Sequence, residues 1–190
     1  MIFTSIYGVV DGLFVSNFVG RTAFAAINLV MPLLMGLSAI GFMIGTGGSA
    51  IVAKTLGENE PEKANEYFSF LVYATLIGGL LFSLSGFFFV KPLVTAEGEL
   101  LNNCVLYARI SFASLTFFML QNVFQSFFVT AEKPKLGLFV IIAAGVTNMI
   151  LDFLFIAVLN FGLAGAALAT VCGECIGGLI PIFYFSRNNS

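Results

Sequence analysis

The sequence contains no histidine and no tryptophan, and only 9% of its 190 residues carry a charge. Without histidine, the chain lacks the commonest general base and the commonest metal ligand of proteins. It also shows no nucleophile-plus-base arrangement and no phosphate-binding loop, so we do not expect an enzyme. The net charge of −2 gives no basic surface of the kind that nucleic-acid binding requires, so no nucleic-acid partner is expected.

Cysteine is also scarce, and the three present are Cys104, Cys172 and Cys175. The last two form a CxxC spacing, which indicates a redox motif when it accompanies a soluble βαβ pattern. That context is missing here. We therefore interpret the pair as small packing residues on an apolar helix.

What the chain has instead is apolar surface. Hydrophobic residues make up 59% of it, phenylalanine alone contributes 23 residues, and the mean hydropathy is +1.02. An ordinary soluble domain carries about 25% charged residues. Apolar segments in lipid must be helical, because their backbone polar groups need internal hydrogen bonds. The composition therefore predicts an all-α integral membrane protein surrounded by membrane lipid.

Polar breaks divide the sequence into six apolar segments. They predict a single transmembrane lobe over residues 1–190, with helices at about 1–16, 23–55, 66–90, 104–131, 135–159 and 163–186. The first segment is shorter than the ~20 residues of a full span. We therefore expect a first helix that is truncated.

Basic residues flank these segments unequally. Arg21, Lys91 and Arg109 fall on one side of the predicted bundle. The other side carries Lys54, Lys63, Lys133, Lys135 and Arg187. Because cytoplasmic loops carry an excess of Lys and Arg, we predict a multi-pass protein of the plasma or inner membrane with a cytoplasmic N-terminus.

Three acids, Asp11, Asp152 and Glu174, fall inside the apolar segments. A charge at the bilayer centre costs roughly 2.5–3.5 kcal/mol on insertion scales, so such residues usually face a bundle interior or a wet cavity. Counting from the predicted helix ends places Asp11, Asp152 and Thr170 roughly 9–12 Å below the same membrane surface. Asn148 lies one turn from Asp152, and Thr170 lies one turn from Glu174.

The residues at this depth carry two carboxylates, an amide and a hydroxyl, which are oxygen ligands that hard cations prefer. Two neighbouring carboxylates cannot both ionise cheaply unless a cation lies between them. The set could hold a proton, a sodium ion or an organic cation, or it could only pack the bundle. Gln121 and Gln125 share one face of the fourth helix and either line a polar cavity or make interhelical hydrogen bonds.

Several segments together resemble the multidrug and toxic compound extrusion (MATE) transporters. The first two helices and the loop after the second carry "YGVVDGLFVSNFVG", "AFAAINLVMPL" and "SAIVAKTLGENEPEKA". The later helices carry "QSFFVTAEKPK", "TNMILDFLFI" and "GLAGAALATV". The resemblance covers nearly the whole chain and is greatest for the prokaryotic branch with a cation site in its N-terminal lobe.

This resemblance implies that the chain is the N-terminal six-helix lobe of a twelve-helix secondary antiporter. Such transporters export cationic, often aromatic drugs in exchange for Na⁺ or H⁺ and use no other cofactor. The implied cation site falls on Asp11, Asn148, Asp152 and Thr170. A second lobe or a homodimer partner would be required. The alternatives are a lipid or polysaccharide flippase of related architecture and an inactive truncated fragment.

Three positions depart from the pattern of the family. Gly8 stands where an asparagine usually precedes the first-helix aspartate. Phe153 replaces a proline that commonly follows the fifth-helix aspartate, so the usual kink is not expected. Glu174 replaces a more usual glutamine and adds a negative charge beside the implied site.

Overall fold

The computed structural model describes residues 9–94 and 96–187 and shows helices joined by short turns. The first, α1, covers Val9–Val19 and ends in a π-helical turn, Val15–Val19. The long helices are α2 (Arg21–Gly57), α3 (Pro61–Leu93) and α4 (Gly98–Thr130). They are followed by α5 (Pro134–Asp152, extended by a π-helix at Phe153–Val158) and α6 (Gly162–Ser186). The predicted all-α fold is confirmed.

Five of these helices, α2 to α6, are long and apolar enough to cross a membrane, and α1 is a shorter apolar helix. Proline stands at the start of α3 and of α5, where its missing N–H is not needed for the helix ladder. The turns between helices use left-handed backbone at Asn59, Glu132 and Asn160, which reverses the chain within a few residues. Large apolar side chains such as Phe70 and Phe88, both 69% exposed, cover the outer surface of α3, as a lipid-facing surface requires.

The fourth helix is the centre of the bundle. It packs against α2, α3 and α6. Eight of the largest fully buried side chains belong to it: Tyr107, Phe112, Leu115, Met119, Leu120, Val123, Phe124 and Phe128. Contacts of α1 with α5 and α6 and of α5 with α6 form a second group beside this centre, and the predicted site residues lie on these helices.

Close helix contact depends on glycine at two places on α2. A Cβ on Gly41 would lie 2.8 Å from the carbonyl oxygen of Met119, and one on Gly45 would lie 2.8 Å from the Cα of Val123. As in other membrane helices, the four-residue spacing of these glycines therefore allows two helix backbones to come into contact. Gly8 and Gly12 have the same four-residue spacing, and Gly8 lies outside the described residues.

Candidate functional site

Asn148 and Thr170 connect α5 to α6. The Asn148 side chain donates from Nδ2 to Thr170 Oγ1 at 3.5 Å, and the Thr170 hydroxyl donates to the backbone carbonyl of Ala166 at 3.1 Å. The helices approach closely because residue 173 is glycine, since a Cβ there would lie 3.1 Å from the carbonyl oxygen of Ala144. The approach fixes the Asn148 amide against α6.

Asp152 ends the α-helical part of α5, and its side chain is 0% exposed. Neither of its carboxylate oxygens has a hydrogen-bond partner. From Phe153 the helix widens into a π-helix, in which Leu159 N–H donates to Leu154 C=O at 2.9 Å. Widened turns of this kind are frequent at functional sites. The helix thus becomes irregular directly after Asp152 although the proline usual in the family is absent.

Asp11 lies on α1, on the side of this helix that approaches Asp152. Its side chain is buried, its Oδ1 has no hydrogen-bond partner, and its carboxylate lies within electrostatic range of Asp152. Phe14, one turn further along α1, packs edge-on against Phe153 with ring centroids 6.5 Å apart. Asp11 thus approaches Asp152 from α1, and the Asn148–Thr170 contact lies one turn of α5 from Asp152.

The unpaired oxygens of this group fit a small hard cation. Asp11 Oδ1, Asn148 Oδ1 and both carboxylate oxygens of Asp152 are buried without partners, whereas buried polar atoms are normally hydrogen-bonded. Within residues 9–94 and 96–187, no three His, Cys, Asp or Glu side chains form a group that could hold a metal ion. Two carboxylates with neutral oxygens suit Na⁺ or a proton better than a transition metal, which prefers imidazole or thiolate.

Tyr107 also belongs to this group, and the sequence did not indicate it. It lies on α4, is fully buried, and stands within electrostatic range of Asp11, Asp152 and Glu174. The Ser111 hydroxyl lies nearby, one turn along α4, but the two hydroxyls do not reach full hydrogen-bond geometry. The sequence feature that could have indicated it is the four-residue spacing of two hydroxyl side chains, Tyr107 and Ser111, in an apolar helix.

Removing the Tyr107 hydroxyl should not destabilise the protein. We expect Tyr107→Phe to leave the free energy of unfolding in Na⁺-free buffer unchanged or to raise it by about 1 kcal/mol, because a buried polar group without a partner is unfavourable. Thermal unfolding in detergent measures this. A loss above about 1 kcal/mol would contradict it, since a loss of that size indicates a hydrogen bond that has been broken.

A small cavity of ≈ 20 Å³ lies beside the group, between α4, α5 and α6, and Gln121, Asn148, Thr170 and Glu174 are among its lining residues. Its volume holds about one water molecule. Glu174 Oε2 lies 2.5 Å from Ser114 Oγ. Gln121 and Glu174 therefore line the same small cavity as Asn148 and Thr170.

Gln125, the third residue predicted to line a cavity, takes no part in this one. It lies one turn beyond Gln121 on α4, is half-buried, and is not among the described residues that line the cavity. Gln121 and Gln125 share a helix face in the sequence, but of the two only Gln121 lines this small cavity.

The comparison with protein families decides the relationship. The MatE family model matches residues 1–154. The chain belongs to the MatE family. Among curated relatives, the multidrug export protein MepA of Staphylococcus haemolyticus is 32% identical over 187 residues, which cover 97% of this chain and 41% of the relative. The MatE chain thus spans less than half the length of the curated relatives that it matches.

Solved MATE structures match the fold in two conformations. An inward-facing multidrug resistance MATE transporter superposes with a TM-score of 0.90 and 25% identity, over 98% of this chain and 43% of that one. An outward-facing one superposes with a TM-score of 0.90 and 25% identity, over 99% and 43%. The MatE chain therefore corresponds to a lobe whose internal fold is similar in the two conformations.

Proposed function

We propose that this chain forms the cation-binding N-terminal lobe of an antiporter that exports cationic or aromatic drugs and toxins in exchange for Na⁺ or H⁺. The observation that carries the proposal is the group of buried carboxylate and amide oxygens of Asp11, Asn148 and Asp152, which have no protein partner. Such a group costs free energy unless a positive charge neutralises it. Ionisable residues inside a membrane usually mark an ion or substrate pathway.

Each residue has a separate role in this mechanism. Asn148 and Thr170 fix the oxygens of α5 and α6 relative to each other. Asp152 supplies the two most buried oxygens. Asp11 brings α1 to the charge. When the two aspartates share a cation or a proton, their attraction for a cationic substrate decreases and the packing of α1 changes.

Alternating access requires a second lobe, supplied by another six-helix segment or by a second copy of this chain. The relatives that match the chain are more than twice its length, which supports the first arrangement. The equal match to inward-facing and outward-facing transporters supports rocking of the lobe as a rigid body. We place the protein in the plasma or inner membrane with a cytoplasmic N-terminus, from the distribution of Lys and Arg. The buried acids favour a cationic substrate over the anionic headgroup that a flippase would carry.

Calorimetric titration of Na⁺ into the purified chain in detergent, repeated across pH, tests the ion site. We expect saturable binding in the wild-type chain and none in Asp152→Asn, because the amide removes the negative charge and keeps the shape. The matched control is Glu97→Gln, which removes an exposed acid before α4 and should bind Na⁺ like the wild type. If folded wild-type protein binds neither Na⁺ nor protons saturably, this lobe carries no ion site of its own and the proposal is wrong for this chain.

A further inference from the structure

A second, larger cavity lies far from the aspartates, at the opposite end of the bundle. Its volume is ≈ 470 Å³, which is within the range of small-molecule sites. It is formed by the end of α2, the start of α3, the end of α4 and the end of α6, and it is open to the outside. The candidate ion site does not use it.

The floor of this cavity is aromatic. Phe68 on α3 packs edge-on against Phe127 of α4, with ring centroids 4.8 Å apart, and lies 5.2 Å from the ring of Phe185 on α6. Phe127 is buried, whereas Phe68 and Phe185 are half-buried. Three helices thus contribute aromatic rings to one apolar surface at the base of an open cavity.

The rim of the cavity is positively charged. Lys133 lies in the turn after α4 with its Nζ 5.7 Å from the centre of the Tyr184 ring, and Arg187 follows the end of α6. None of the described residues that line the cavity is acidic. The ion pairs in the described part of the chain are Lys54–Glu58 and Lys63–Glu60, so neither Lys133 nor Arg187 forms an ion pair with a described carboxylate.

The cavity lies at one end of the helix bundle, where the apolar spans meet water. The turns at residues 58–60 and 131–133 and the end of α6 lie at the same end of an antiparallel bundle. Lys54, Lys63, Lys133, Lys135 and Arg187 lie in or next to these segments, at the boundary between the apolar spans and water. Five glutamates lie at this end as well, but none of the described residues that line the cavity is one of them, whereas Lys133 and Arg187 both line it. Basic pockets between helices at this level are suited to the headgroups of anionic lipids.

We propose that this cavity binds an anionic phospholipid. Lys133 and Arg187 contact the phosphate of the headgroup, and the first methylenes of the acyl chains lie on the Phe68–Phe127–Phe185 surface. An apolar floor with two basic rim residues that form no described ion pair matches the two parts of this ligand, and neither a cationic drug nor an uncharged one would complement the rim. The proposal is independent of the ion site and of antiport.

Fluorescence quenching tests the proposal well because the chain has no tryptophan. Phe68→Trp places a single fluorophore on the cavity floor, in a chain reconstituted into nanodiscs of zwitterionic phosphatidylcholine. Brominated phosphatidylglycerol is then titrated against brominated phosphatidylcholine. We expect phosphatidylglycerol to quench the fluorophore at a mole fraction about 25-fold lower than phosphatidylcholine does, since each of the two basic residues contributes about 1 kcal/mol, or about fivefold.

A reporter on the same helix controls for general lipid contact. Phe70→Trp lies two residues further along α3 on its exposed surface, where both brominated lipids should quench equally. In the Phe68→Trp background, Lys133→Gln and Arg187→Gln should each reduce the preference for phosphatidylglycerol by about fivefold. Lys135→Gln removes the same charge two residues further along, in the first turn of α5 and outside the cavity lining, and should leave the preference unchanged.

Three outcomes would overturn the proposal. The first is equal quenching of the Phe68→Trp reporter by both lipids. The second is an equal effect of Lys135→Gln and Lys133→Gln, which would indicate a general surface potential. The third is full competition by millimolar inorganic phosphate, which would indicate a free-anion site. Native mass spectrometry of the chain without the tryptophan, with the two lipids in competition, makes the same comparison if Phe68→Trp does not fold.

Discussion

Replacing Gly41 by alanine should lower the free energy of unfolding by about 3 kcal/mol, the upper part of the range for overpacking a core. The added Cβ would lie 2.8 Å from the carbonyl oxygen of Met119 and 2.9 Å from its Cα. Both are backbone atoms of the central helix, so no side-chain rotation can relieve the contact. To accommodate the methyl group, α2 must move away from α4 along a packed interface.

The same helix supplies the control. A Cβ on Gly47 would meet nothing within 4 Å, so Gly47→Ala should change stability by no more than the helix-propensity gain of about 1 kcal/mol. The two variants differ only in the position of one methyl group. Thermal or chemical unfolding in detergent separates them, and equal stability of the two would mean that close contact between α2 and α4 is not needed by the fold.

Composition and periodicity were sufficient to predict the helical class, and residue counting along the helices predicts the depth of the polar residues. A chain so rich in apolar residues has one structural solution in lipid, because its backbone must satisfy its own hydrogen bonds. Depth follows from counting residues along a helix of constant rise. Counting alone therefore predicts a common depth in the membrane for Asp11, Asp152 and Thr170, without any knowledge of which helices touch.

Lateral position could not be predicted in this way, because helical spacing identifies a face and not the neighbour that the face contacts. The structure supplies that neighbour through the Phe14–Phe153 contact between α1 and α5 and the Asn148–Thr170 contact between α5 and α6. Tyr107 was missed for the same reason, since it reaches the aspartates from a helix that the depth argument did not consider.

The glycine spacings show where local patterns carry information and where they do not. A GxxxG spacing arises often by chance in glycine-rich helices, so its presence alone says little. At Gly41 and Gly45 a backbone lies directly opposite, and at Gly177 the Gln121 side chain occupies the space of the missing Cβ. The packing of each helix against its neighbours, and not the spacing, decides which glycines have this role.

Sodium should slow amide hydrogen exchange in α1 by about 100-fold. On the proposed mechanism, Asp11 connects α1 to Asp152 through a shared cation, so local opening of Val9–Val19 requires the ion to leave. At a Na⁺ concentration 100 times the Kd, this linkage amounts to about 2.7 kcal/mol, and exchange through local opening slows in proportion. The measurement is hydrogen exchange by mass spectrometry, with and without Na⁺ at constant ionic strength.

The helices far from the ion provide the comparison within the same experiment. The outer part of α3, which has no extensive contact with the π-turn of α1 in the described residues, should exchange at the same rate in both conditions. The Asp11→Asn variant should lose the Na⁺ effect in α1 and keep any general salt effect. Uniform slowing of all helices by Na⁺ would show that the ion acts on the whole fold or on the detergent. No slowing in α1 while Na⁺ still binds would mean that Asp11 does not take part in holding the ion, and the site would then consist of Asn148, Asp152 and Thr170 alone.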